Sequence, residues 1–354
     1  MSVLGLALGG SGCPALQKLD LCWMENGDEG VAGLAEGLGG GCLSSLRDLS
    51  LEVTTRRWGF HAEESVGGRG MHRSGRGFEH RQASCSPNCE LRLAGLSRGT
   101  GQLPALHTLH CAQHSTIGTE GAQSLSALMS GGGVPSLKDL KVNVEGLGQE
   151  GFQPLAAALS SPYVSALRVL HVKFRGVGTA NAAAEVGLFS AALTLIRSSP
   201  QVGGALGWGS SCDRGGLCVM RCVQLSSLRE LRFGDSSRFS DSSFGVEGGR
   251  ALSEIVVAEK LPSLKTLEAV VVALTDGGVR VLIERWTNHP PPPLQVIDLQ
   301  SNQLTGELTD SLLAFLGSQR ISSLETLCLN NNQGIDEWSK QLLRMSFPEV
   351  DVKM

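Results

Sequence analysis

Apolar residues along this chain fall into a pattern built on Leu-x-x-Leu-x-Leu. Nine copies begin at Leu16, Leu46, Leu106, Leu137, Leu167, Leu228, Leu264, Leu294 and Leu324. Successive copies start 30 or 31 residues apart, apart from one step of 36 and two steps of 60 and 61 that span about two repeat lengths. A fixed period of this size marks a repeat architecture rather than one globular core. Inside each copy apolar and polar positions alternate, the two-residue period of a strand with one buried face. In the best-preserved copy Leu294, Ile297 and Leu299 are expected to point inward and Asp298 outward. Asn302 then stands where a buried amide can hydrogen-bond the turning backbone.

A second signal follows the first at the same period. An acidic residue and a glycine precede apolar positions at helical spacing: Glu29-Gly30 with Leu34 and Leu38, Glu120-Gly121 with Leu125 and Leu128, Glu150-Gly151 with Leu155 and Leu159, Glu247-Gly248 with Leu252 and Ile255. Acidic residues suit the positive end of a helix, and the spaced apolar residues form its buried stripe. A strand and a helix in every unit predict parallel strands on one side and helices on the other. Helices are wider than strands, so such a stack curves with the strands on its concave wall. No unit buries its apolar face alone; neighbours supply the core.

This joint recurrence of strand and helix signals resembles the ribonuclease-inhibitor subtype of leucine-rich-repeat proteins. The resemblance implies an α/β leucine-rich-repeat solenoid, a curved horseshoe arc with parallel strands on the concave face and helices on the convex face, running as a single array over residues 1–354. That family includes ribonuclease inhibitors, Ran-type GTPase activators and the sensor arms of immune receptors, so it does not fix one activity. The ninth-position Asn or Cys of the family stands here only at Asn302 and Asn332. The other repeats place Met24, Thr54, His114, Glu145, Arg175, Ser236 and Val272 there, and their turns need other hydrogen-bond partners.

Two stretches break the rhythm. Residues 54–102 are irregular and rich in Gly and Arg, with Gly-Gly-Arg-Gly at 67–70 and Ser-Gly-Arg-Gly at 74–77. They read as a loop or decayed repeat, with an RG-type nucleic-acid segment as the competing interpretation. Residues 198–224 are rich in Gly and Cys, and read as an insert or degenerate repeat with a poor strand near Ala205 to Trp208, after a helix from about Ala180 to Arg197. The run Pro290 to Pro293 is expected to be a stiff connector from a helix to the eighth strand rather than an SH3-type ligand. The segment from Phe347 to Val352 is expected to form a partial strand closing the last repeat.

Composition narrows the role. The net charge of −4 and pI near 6.1 argue against a nucleic-acid protein held by overall charge. The apolar stretch from Val3 to Leu8 is too short for a secretory signal, no run of apolar residues approaches a membrane span, and no Asn-x-Ser/Thr sequon occurs. With 10 scattered cysteines read as mostly free thiols, the expectation is a cytoplasmic protein with no membrane partner.

Candidate chemistry is sparse. Cys85 and Cys89 near His72 and His80, and the trio Cys212, Cys218 and Cys222, lack the paired spacing of a zinc site, so no metal is expected. No nucleophile elbow or P-loop occurs, and the run Gly9-Gly10-Ser11-Gly12 reads as a flexible terminus, so neither catalysis nor a cofactor is expected. What remains is the outward strand face. Its fifth positions are Asp20, Ser50, His110, Lys141, His171, Arg232, Glu268, Asp298 and Cys328, and its seventh positions add Cys22, Glu52, Asn143, Lys173 and Gln300. Cations and histidines gather in the middle between acidic flanks, although Asp139 and Glu230 intrude. The expectation is a non-catalytic protein-interaction scaffold that docks an acidic protein surface on His110, Lys141, His171, Lys173 and Arg232. A Ran-type GTPase activator and the sensor fragment of a larger immune-type receptor are the competing readings. The acidic C-terminal tail of the former is missing, and no nucleotide-binding segment supports the latter.

Overall fold

The computed structural model describes residues 8, 13–23, 38, 43–53, 103–113, 117–144, 148–159, 161–174, 225–235, 244–318 and 320–354. Ten strands form one parallel sheet whose spatial order is their order in the chain, and the sheet does not close into a barrel. They are β1 (Lys18–Trp23), β2 (Asp48–Val53), β3 (Thr108–Gln113), β4 (Asp139–Val144), β5 (Val169–Phe174), β6 (Glu230–Asp235), β7 (Thr266–Val270), β8 (Val296–Asp298), β9 (Thr326–Cys328) and β10 (Asp351–Lys353). Each of the first nine begins two residues after the first leucine of its copy, and β10 falls on the expected closing segment. β2 pairs directly with β3 and β5 with β6, across the two long steps in the sequence. Residues 54–102 and 198–224, and the helix expected over Ala180 to Arg197, lie outside the described residues.

Six helices are described: α1 (Thr119–Ser130), α2 (Gly148–Leu159), α3 (Gly245–Ile255), α4 (Thr275–Asn288), α5 (Thr309–Leu316) and α6 (Glu337–Ser346). The acidic-Gly signals at Glu120, Glu150 and Glu247 each fall in the first turn of a helix. That at Glu29 lies outside the described residues, although Leu38 is buried. The inward strand residues and the helix stripes join one core: Leu137, Leu140 and Val142 of the fourth repeat are buried with Leu125 and Leu128 of α1. The architecture is thus an α/β, repeat-like solenoid. Among the described residues no helix is long and apolar enough to cross a membrane.

Close contacts tie neighbouring repeats together. Trp286 of α4 is buried, donates its indole N–H to the Val256 carbonyl at 2.6 Å, and stacks on Phe315 with ring centroids 5.4 Å apart. A buried indole needs such a partner. Helices α3 and α4 approach backbone to backbone at Gly249 and Gly278, where a Cβ on Gly249 would sit 2.2 Å from the Gly278 carbonyl oxygen. The Pro290 to Pro293 run does connect α4 to β8, and the Pro290 carbonyl accepts the Ala258 N–H at 3.0 Å.

The turns after the C-terminal strands are held by asparagine. Fully buried Asn302 accepts from the N–H groups of Val272 and Leu274 at 3.3 and 3.1 Å, and donates to the carbonyls of Ala269 and Gln300 at 2.5 and 3.2 Å. Asn332 repeats the arrangement one unit on, accepting from Asn302 and Leu304 and donating to Leu299 and Leu329. The turn at Val272, which has no asparagine of its own, is therefore satisfied by the asparagine of the following repeat. The six described non-glycine residues with left-handed φ all lie here: Val271, Ala273, Thr275, Ser301, Gln303 and Asn331.

Candidate partner-binding face

Parallel pairing aligns like positions of successive repeats into rows. The register places His110 beside Lys141, Lys141 beside His171, His171 beside Arg232, and Arg232 beside Glu268, so four of the five candidate residues form one unbroken row across β3 to β6. Lys173 lies in the next row, between Asn143 of β4 and Gly234 of β6. All project from the face of the sheet opposite the helices, because the alternate residues enter the core.

The row is not uniformly available. Arg232 donates through Nε and Nη2 to one Glu230 carboxylate oxygen at 3.2 and 2.6 Å, and its Nη1 lies 3.3 Å from Glu268. Burial works against its charge, but the bond to Glu230 and the field of Glu268 outweigh it and raise its pKa. His110 Nε2 lies 3.4 Å from Asp139. Both are thus partly spoken for by carboxylates of the third and fifth rows. Lys141 and Lys173, in contrast, have no carboxylate within ion-pair distance among the described residues.

Between them sits His171. Burial, then the charges of Lys141, Lys173 and Arg232, lower its pKa from 6.5 to about 4 against a small opposing effect of Asp139. Its imidazole is neutral near pH 7, one polar ring between two ammonium groups. The Lys173 ammonium is itself lowered, by burial and then by Lys141. Gly234 explains how Lys173 comes to be half-buried: a Cβ there would lie 3.9 Å from Lys173 Cγ and 4.0 Å from His171 Nε2, so the lysine stem runs along a bare stretch of strand. Chemically, two ammonium groups beside a neutral imidazole could attract and orient a carboxylate or phosphate.

Two outward assignments need correction. Asn143 is fully buried rather than exposed, although it occupies a seventh position. Cys328, at a fifth position, is also buried, between Asp298 on β8 and Lys353 on β10. Position in the pattern sets which face a side chain leaves from, not how far water reaches it. Cys111 enters the core, and burial pushes its thiol up to about 12. The cysteines and histidines weighed as zinc ligands, and the Gly9 to Gly12 run, lie outside the described residues.

No family model matches the chain, and no curated protein matches its sequence. Among solved structures it is similar to a protein from Bacteroides fragilis at 12% identity and a TM-score of 0.35, over 71% of this chain and 66% of that one. The chain thus spans slightly under two thirds of that protein. A likeness this distant carries no argument for family or function.

The sequence pattern missed the division of the cations into paired and unpaired ones. A signal was present: Glu230 precedes Arg232 by two residues, and Glu268 takes the same place in the next repeat, so both carboxylates flank the guanidinium in a parallel sheet. Gly234 as the partner of Lys173 becomes visible only once β5 and β6 are known to be neighbours across a 61-residue step.

Proposed function

We propose that this chain is a non-catalytic protein-interaction scaffold of the leucine-rich-repeat type, similar to the ribonuclease-inhibitor subtype. An acidic protein surface docks on the concave strand face of its arc. The observation that carries this reading is the pair Lys141 and Lys173 on adjacent strands, two ammonium groups with no carboxylate within ion-pair distance among the described residues, flanking a neutral imidazole. A complementary acidic patch would meet positive charge that no described carboxylate pairs, which favours encounter and register. Arg232 and His110, held by Glu230 and Asp139, act at the rim of the contact rather than at its centre. The extended surface of a solenoid suits this use.

The test compares capture of proteins from lysate by the wild-type chain and by the Lys141→Glu/Lys173→Glu variant, after circular dichroism has shown equal folding. Specific partners bound by the wild type should be lost from the variant and be acidic at their contact surface. Equal capture by both proteins would refute this docking face. Faster GTP hydrolysis by a Ran-like GTPase with the chain present would refute the non-catalytic reading.

A further inference from the structure

Gly234 leaves a notch in the outward face of the sheet. It is the seventh-position residue of β6, level with Lys173 on β5 and Val270 on β7. The fold does not call for glycine there. Its φ is not left-handed, and a Cβ would meet only ordinary contacts, at 3.7 Å from the Val270 carbonyl oxygen, 3.9 Å from Lys173 Cγ and 4.0 Å from His171 Nε2. Glycine inside a strand weakens it, and such a residue often marks a place where a ligand comes close to the backbone.

The walls of the notch are hydrogen-bond donors. His171 Nε2 faces it and the Lys173 stem runs along it. Lys141 stands beside His171 on β4, and its charge acts on both His171 and Lys173. The carboxylates are set back or occupied. Asp139 and Glu230 project from the third row, behind the histidine row, whereas Gly234 lies in the seventh row, in front of it. Glu268, on the neighbouring strand, is held by Arg232 at 3.3 Å.

We propose that the notch over Gly234 receives a phosphomonoester, the phosphorylated side chain of a protein partner, between Lys141, His171 and Lys173. This rests on the docking face proposed above and gives its acidic partner a chemistry. Two ammonium groups match the charge of about −1.5 to −2 that a phosphomonoester carries at pH 7, whereas a single carboxylate leaves one of them unmatched. The terminal oxygens also take three donors at once, two ammonium groups and the Nε2–H of a neutral imidazole. A side chain in place of Gly234 would hold the phosphate away from His171 Nε2 and the Lys173 stem. Docking would then follow phosphorylation of the partner.

The test titrates the full chain, carrying isotopically labelled histidine, with two probes at equal ionic strength: N-acetyl-O-phosphoserine amide and N-acetylaspartate amide. The His171 ring signal is the one lost in His171→Asn, and the other histidine signals report whether a variant is folded. Phosphoserine should move the His171 signal saturably and bind about tenfold or more tightly than aspartate. Gly234→Val keeps every charge and suits a strand, yet should weaken phosphoserine binding by about tenfold. Lys141→Gln/Lys173→Gln should weaken it at least as much. Equal affinity for the two probes, a His171 signal that phosphoserine does not move, or unchanged binding by folded Gly234→Val overturns the phosphate site. The docking face itself fails on a different result, equal capture of partners by wild type and Lys141→Glu/Lys173→Glu.

Discussion

Between β7 and β10 the backbone leaves each strand under the control of Asn302 and Asn332, and every amide atom of those two side chains is engaged inside the protein. Between β3 and β6 the specialisation lies on the outer face, in two adjacent rows where Lys141 and Lys173 have no carboxylate within ion-pair distance among the described residues. The first region spends its polar side chains on its own backbone, and the second presents them outward. A repeat protein can do both because the buried apolar residues and the backbone ladder set the strands, which leaves the outward rows free to differ from unit to unit.

The comparison breaks most sharply at Asn302. Replacing it with Ala strands the buried N–H groups of Val272 and Leu274 and takes a bond from the Ala269 carbonyl, at roughly 1–3 kcal/mol for each group that water cannot reach. Urea unfolding should show a loss of about 3 kcal/mol or more, while Lys141→Ala, on the outward row, should stay within about 0.5 kcal/mol. If the two variants unfolded at the same urea concentration, the asparagines would not be what sets the C-terminal turns apart.

A smaller effect of opposite sign sharpens the contrast. Gln303 is exposed and left-handed, with φ of 60°. An L-residue pays roughly 1–2 kcal/mol for that conformation, and glycine costs about 0.5–1 kcal/mol in unfolded-state entropy. Gln303→Gly should therefore raise stability by about 0.5 kcal/mol in the same urea assay. A decrease would mean that the side chain makes a contact worth more than the strain.

A third effect lies in the central row and shows only as the pH falls. The folded sheet disfavours the protonated form of His171, so the unfolded chain takes up the proton first as pH falls below 6.5. Stability is complete above pH 6.5 and declines towards about pH 4, and His171→Asn should flatten that part of the profile relative to wild type. Parallel profiles for the two proteins would show that the imidazole titrates freely and that Lys141 and Lys173 do not press on it.

The leucine spacing made the strand starts legible, because the first nine strands follow their leucine by a constant two residues. The closing strand β10 and the helices after Glu120, Glu150 and Glu247 were equally legible, since each rests on local composition and period. The site was legible only in part. Alternation identifies which residues leave the sheet on its outer face, but it does not show that Asn143 and Cys328 are buried there. The engagement of Arg232 by Glu230 and Glu268 is likewise a cross-strand matter. Left-handed turn residues such as Val271 and Thr275 gave no composition signal, because neither is a residue type that favours that conformation.

A sheet whose spatial order is its order along the chain also fixes how it can be made. Each strand that leaves a ribosome finds its only earlier partner already synthesised, and no strand must wait for a distant segment. Assembly can thus keep pace with translation, one unit at a time, with the most recent strand always the growing edge.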